Sequence, residues 1–284
     1  MAIQSLAPML AAAQAGGYAV AQFNTDTIEA GQAVLSVATE LRAPIILAIG
    51  QGVDRAGRLE PLAAGLRAMA EAAEVPVCLH LDHSESLPQI GRALRAGFSG
   101  VMIDASAHPL ATNIAETRSV LGICAGLGIG VEAELGRVAG VEDDLEVSEE
   151  EAGKVDLATV SAFLAAVRPD ALAVAVGTAH GFYTRPPEID FGLIRQVHGL
   201  GAPPLVLHGG TGLSDAILRE AVACGMAKLN FATELRKANV DAFVEAAASG
   251  SALLDALAKA GSAVAEVAQR KLAITGSVGR ASAR

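Results

Sequence analysis

An aspartate followed directly by a histidine, Asp82-His83, closes the apolar run Val77-Cys78-Leu79-His80-Leu81. A carboxylate or imidazole is costly to bury without partners. Strand alternation would also send the two side chains to opposite faces, unless the strand ends there. Such a pair belongs at the rim of a site. Two more histidines sit in similar surroundings: His180 in Gly177-Thr178-Ala179-His180-Gly181, and His208 at the head of His208-Gly209-Gly210-Thr211-Gly212. Three imidazoles with an open fourth position make a usual catalytic zinc site, so His83, His180 and His208 are candidate ligands. They are far apart in sequence and no HExxH-type motif supports them, so a fold must gather them. Of the other three histidines, His108 and His198 read as surface residues. His80 shares a strand face with Asp82 and reads as a hydrogen-bonded core histidine.

The glycine-rich turn from His208 to Gly212, with Ser214-Asp215 opening a helix, suits a phosphate. Glycines let the backbone approach, and its N–H groups face the anion. A Lewis acid beside a phosphate site suggests carbonyl chemistry on a sugar phosphate, with the metal polarising a ketone. Asp82, next to a ligand, is placed to move a proton to or from a substrate hydroxyl. Its alternative role is to orient His83.

Apolar runs that read as strands occupy residues 18–23, 44–49, 77–81, 100–103, 130–134, 171–176, 204–207 and 227–230. Segments with helical spacing lie between them, among them 27–41, 59–73, 87–96, 113–126, 215–223 and 234–248. Eight strand–helix units predict a single (β/α)8 barrel, in the α/β class, over residues 1–284; an open doubly wound sheet is the alternative. Barrel sites lie at the C-terminal ends of strands. There the chain carries Asn24, Gly50-Gln51-Gly52, Asp82-His83, Asp104, Glu132 and Glu134, the His180 and His208 turns, and Asn230. Barrels also hold phosphate after their last two strands, which adds Asn230, Phe231, Ala232 and Thr233. The acidic stretch 136–156 reads as a long mobile βα loop.

Composition narrows the class further. With 52% hydrophobic residues, 3% aromatics and no Trp, the core is built from Ala, Val, Leu and Ile, which fill parallel sheets and their helices. A net charge of −10 and no basic-aromatic stripe argue against a nucleic-acid surface. Cys78, Cys124 and Cys224 lie in apolar stretches without metal-type spacing and read as buried free thiols. The N-terminus has no signal-peptide pattern and no apolar run is long enough to span a membrane, so a cytoplasmic protein is expected.

Taken together, Phe23-Asn24, Leu79-His80-Leu81-Asp82-His83, the run Val101 to Ser106, Val131-Glu132-Ala133-Glu134-Leu135-Gly136, Gly140-Val141-Glu142-Asp143-Asp144, the His180 and His208 turns, and Asn230 to Glu234 resemble the class II, metal-dependent ketose-bisphosphate aldolases. The resemblance covers nearly the whole chain. It implies cleavage of a ketose 1,6-bisphosphate to dihydroxyacetone phosphate and glyceraldehyde 3-phosphate. It also implies zinc on His83, His180 and His208, with Asp82 serving the C4 hydroxyl. Asp104 and Glu134 match acids that bind a second or displaced metal, and Glu142 matches a residue for the C3 proton. By the same resemblance Asn24, Gly181, Gly209, Gly210, Thr211 and residues 230–233 hold substrate, with a monovalent cation, Na+ or K+, near the phosphate loops of some members. Arg236 and Arg280 resemble groups near the distal phosphate, Arg280 from a neighbouring subunit. A homodimer or homotetramer is implied, and some members work with a related partner subunit. Two departures bear on substrate. Ala232 stands where fructose-type members carry Asp, and the pattern His180-Gly181-Phe182-Tyr183-Thr184 is tagatose-like, whereas Gly210-Thr211-Gly212 is closer to the fructose type. The reading leans to tagatose over fructose 1,6-bisphosphate. Gln51 replaces a usual Ser or Thr. The rival readings are a Schiff-base aldolase using Lys228 and a non-catalytic partner subunit.

Overall fold

The computed structural model describes residues 3–142, 145–148, 155–183 and 187–281. Eleven strands are present among them: β1 Val20–Asn24, β2 Ile45–Ile49, β3 Val77–Ser84, β4 Gly100–Ile103, β5 Gly130–Leu135, β6 Ala139–Glu142, β7 Leu145–Val147, β8 Ala171–Val174, β9 Ala179–His180, β10 Leu205–Leu207 and β11 Met226–Phe231. Eight of them close into a parallel barrel in the order β1-β11-β10-β8-β5-β4-β3-β2. The expected (β/α)8 barrel is what the chain forms, and the open sheet is excluded by the β1–β11 pairing of Val20 with Lys228 and Gln22 with Asn230. Helices follow the strands. Leu87–Ala96 and Asp215–Ala223 match their sequence expectations residue for residue, the latter capped by Ser214 Oγ on the Ile217 N–H at 3.3 Å.

The N-terminal mouth of the barrel is sealed by the first helix, Leu6–Gly16. Its Leu6, Met9, Leu10 and Ala13 are buried against Val20, Ile46, Cys78, Ala171, Val206 and Ala227 at the lower ends of the strands. Gly100 and Gly130 leave room for the helix, since a Cβ there would fall 3.0 and 2.8 Å from the Leu6 Cβ, and the seal removes apolar surface from water. The C-terminal segment runs past the same end, where Arg280 lies 5.2 Å over the Tyr18 ring. The barrel is therefore open to substrate only at the C-terminal ends of its strands.

The acidic stretch expected as loop departs from that reading. It carries β6 and β7, an antiparallel pair, and β6 also pairs in parallel with β9 (Ala139 with Ala179, Gly140 with His180). Asp143, Asp144 and residues 149–154 lie outside the described residues, and of Glu142 only the backbone is described. All three cysteines are buried and free, and His108 and His198 are exposed. No helix among the described residues is long and apolar enough to cross a membrane. Since the first helix serves the seal and not the open mouth, Leu10→Ala should cost about 2–5 kcal/mol of stability. A lowered Tm with an unchanged kcat below the transition is the expected result.

Candidate active site

Four strands carry polar residues two apart: Gln22 and Asn24 on β1, His80 and Asp82 on β3, Glu132 and Glu134 on β5, Lys228 and Asn230 on β11. A period of two puts each pair on one face of its strand, and here that face is the barrel interior, where all eight are buried. The inner members form a charged floor. Lys228 Nζ donates to Glu132 Oε2 at 2.6 Å, and His80 Nε2 lies 3.5 Å from the same oxygen. The other Glu132 oxygen meets His208 Nε2 at 2.9 Å. Burial would raise the Glu132 carboxyl, but the Lys228 ammonium and the His208 hydrogen bond outweigh it and hold the group below the usual carboxylate range. Burial, with Lys228 beside it, pulls His80 down to about 3. His80 is thus a neutral core histidine.

Above this floor sits a second polar layer. Asp82 Oδ2 accepts from Asn24 Nδ2 at 2.8 Å, and Asp82 Oδ1 faces Asn230 Nδ2 at 3.5 Å. Asn24 is itself fixed by Gln22 Nε2 at 3.0 Å. His83 Nδ1 lies 2.8 Å from Asp104 Oδ2 and 3.8 Å from Glu134 Oε2. Asp104 is held in turn by the Ser106 hydroxyl at 2.7 Å and the Ser106 N–H at 3.1 Å.

How Asp82 and His83 serve one site despite strand alternation is answered by an irregularity. The β3–β4 register slips between Leu81 and Ser84, and His83 has φ +49. Bulges re-aim side chains beside active sites, and a left-handed non-glycine residue costs about 1–3 kcal/mol. The strand therefore does not end at Leu81 but runs on, distorted, to Ser84.

His83, His180 and His208 converge, with ring centroids 4.5, 5.2 and 5.9 Å apart. One nitrogen from each lies within 4.8 Å of the others, and a second cluster of the same tightness joins His83 to Asp104 and Glu134. Burial, then the neighbouring His83, lowers the His208 pKa against the pull of Glu132. A neutral imidazole is the form that binds metal. Because Nε2 of His208 faces a carboxylate, that nitrogen carries the proton and Nδ1 keeps a lone pair, toward which Asn230 Nδ2 points at 3.3 Å. The donor set fits a divalent metal of the zinc type.

Two glycines allow the turns to close on these imidazoles. Gly140 (φ +97) lies so near His180 that a Cβ would fall 2.2 Å from the His180 carbonyl oxygen; one on Gly209 (φ +68) would fall 2.4 Å from the Ala179 oxygen. Tyr183 stitches the same turns, its hydroxyl accepting from the Ala179 N–H and donating to the Gly209 carbonyl, each at 2.9 Å.

A family model described as fructose-bisphosphate aldolase class-II matches residues 4–280. The chain belongs to that family. The YdjI aldolase of Escherichia coli K12 is 32% identical with a TM-score of 0.89, over 99% of this chain and 100% of that one. A fructose-bisphosphate aldolase (Fba) of Campylobacter jejuni, at 19% identity and a TM-score of 0.79 over 97% and 96% of the chains, shares the fold. In this aldolase the other sequence-chosen residues fall as follows. Gly181, Gly209, Gly210, Thr211 and Ala232 lie on the turns after β9, β10 and β11, Asn230 lies within β11, and Thr233 opens the helix Thr233–Ala248, all around the mouth. The Phe231 ring points the other way, fully buried with its centroid 6.0 Å from that of Phe23, so only its backbone can meet a substrate. Arg236 is at the rim but paired with Asp26 at 2.6 and 3.3 Å. Arg280 is at the sealed end of its own barrel, far along the strands from Asp82, because the C-terminal segment docks beside Leu41 and Arg42 before β2. A role for it in this chain's own site is not what the fold provides.

The sequence reading gave no role to Glu132, Gln22, Tyr183 or Glu234, whose carboxylate takes the Gly212 N–H at 2.7 Å and Lys271 at 2.8 Å. Polar residues two apart in otherwise apolar strands were the available signal for the first two. Glu132→Gln should weaken zinc binding roughly 10–100-fold, the usual effect of losing a ligand's partner, and lower Tm by leaving Lys228 unpaired. The double variant Glu132→Gln, Lys228→Met should recover Tm but not zinc affinity, measured by chelator competition and thermal melting.

Proposed function

We propose that this aldolase reversibly cleaves a ketose 1,6-bisphosphate to dihydroxyacetone phosphate and glyceraldehyde 3-phosphate, with zinc on His83, His180 and His208. The convergence of those three imidazoles beside an aspartate clamped by two amides carries the reading. When bound, zinc supplies a Lewis acid that draws electron density from the ketone carbonyl. Asp82 accepts the C4 hydroxyl proton as the C3–C4 bond breaks and returns it in condensation. Asn24 and Asn230 fix its two oxygens, so the base needs little reorganisation as it reacts. The N–H-rich turns at Gly181, Gly209 to Thr211 and Asn230 to Thr233 receive the phosphate of the three-carbon ketone. Glu142, on the strand paired next to His180, is the candidate for the C3 proton. Asp104 orients His83 and, with Glu134, offers a second seat for the ion. A monovalent cation near the phosphate turns, a homo-oligomer and a cytoplasmic location complete the proposal.

Tagatose 1,6-bisphosphate is preferred over fructose 1,6-bisphosphate, since Ala232 puts a methyl group where fructose-type members contact hydroxyls with Asp. The Schiff-base reading is disfavoured by Lys228 itself: it is fully buried and held by Glu132 as an ion pair, whereas an attacking amine must be neutral and reach a carbonyl. The complete Asp/His set weighs against a non-catalytic subunit.

Cleavage of both sugars should vanish with EDTA and return with zinc, and the ratio of kcat/KM names the substrate. Activity that survives chelation, or is trapped by borohydride, would return Lys228 to the centre. Asp82→Asn should lower kcat by roughly 10²–10⁴-fold while zinc affinity, followed by chelator competition, stays near the wild-type value.

A further inference from the structure

Gln51 follows β2 by one intervening residue, Gly50, at the start of the short helix Gln51–Arg55, and is buried. Its side-chain amide does not project as an open substrate contact. Nε2 donates to the backbone carbonyl of His83, and Oε1 accepts from the Arg55 guanidinium. His83 is one of two non-glycine residues with positive φ among those described, and it sits in the stretch where the β3–β4 ladder loses register. Regular pairing of β2 with β3 also stops at Ile49–Leu81, two residues short of His83. The backbone that aims His83 thus lies beyond the regular ladder, and Gln51 supplies a donor to it from the neighbouring strand end.

From this we infer that Gln51 is a positioning residue for the metal site: it pins the strained His83 backbone so that the imidazole faces His180 and His208. This rests on reading those three imidazoles as the zinc site. A Ser or Thr at position 51 has a side chain shorter by two atoms than Gln and would not span the same gap. The substitution therefore exchanges a contact toward substrate for a brace behind a ligand. Arg55 is part of the device, because by holding Oε1 it orients the amide with its N–H groups toward His83.

Gln51→Met keeps the side-chain volume and removes the donor; Gln51→Ser is a second variant of small size. Zinc affinity would be measured by chelator competition, and the visible spectrum of the cobalt(II)-substituted protein would report ligand geometry. Both variants should bind zinc roughly 10-fold or more weakly and show altered cobalt bands, with the Tm of the metal-free protein and the KM at saturating zinc near wild type. Unchanged zinc affinity and cobalt bands would overturn the inference, and a raised KM alongside them would make Gln51 a substrate contact. Failure of the wild-type protein to bind zinc would instead overturn the underlying site assignment.

Discussion

A carboxylate and an ammonium buried together inside a barrel of apolar strands constrain everything above them. Glu132 and Lys228 are both fully buried, and neither charge survives there without the other. Their 2.6 Å contact fixes one oxygen of Glu132, which leaves the second aimed at His208. His80 next to the pair stays neutral. Fixing the tautomer of His208 from below turns its other nitrogen toward the site, so a core ion pair orients a proposed ligand. Replacing such a pair by apolar residues is often neutral for stability. Its value in this chain lies in orientation.

A second constraint comes from strand geometry. A regular strand cannot point two successive side chains into one cavity, yet the proposed proton transfer beside a metal needs Asp82 and His83 together. The chain resolves the conflict by slipping register and holding His83 in a left-handed conformation. Neighbours oppose relaxation: Asp104 on the ring, Ser84 bonded to the Met102 carbonyl, and Gln51 on the His83 backbone. Local strain is thus maintained by contacts from β2 and β4, on either side.

The third imidazole is gathered differently. His180 belongs to a two-residue strand outside the barrel ladder, paired with β6 of the acidic segment. The segment proposed to carry the C3 proton group is thereby registered to a proposed metal ligand. Gly140 and Gly209 permit this because their neighbours leave no space for a side chain. The phosphate turn is tied from the opposite side, through Gly212, Glu234 and Lys271, to the long C-terminal helix. The mouth therefore depends on helices outside the barrel as well as on strand ends.

The eight barrel strands, the barrel class and the candidacy of Asp82, His83, His180 and His208 were legible in the sequence, because apolar periodicity and the residues that interrupt it are local signals. So was the polarity of the barrel, with chemistry at the strand ends. The acidic segment's strands were not legible, since their partner, Ala179–His180, is too short to show a period and lies far along the chain. Nor was the burial of the Phe231 ring or the course of Arg280 to the sealed end, which depend on the way each strand faces and where the tail docks. Glu132 could be placed at a strand end by sequence, but its partners come from the turn after β10 and from β11, 76 and 96 residues away. Residue type and spacing determined which groups this protein has for its chemistry. Closure of the barrel decided which of them touch, because hydrogen bonds act over about 3 Å and only the closed sheet brings its first and last strands within that reach.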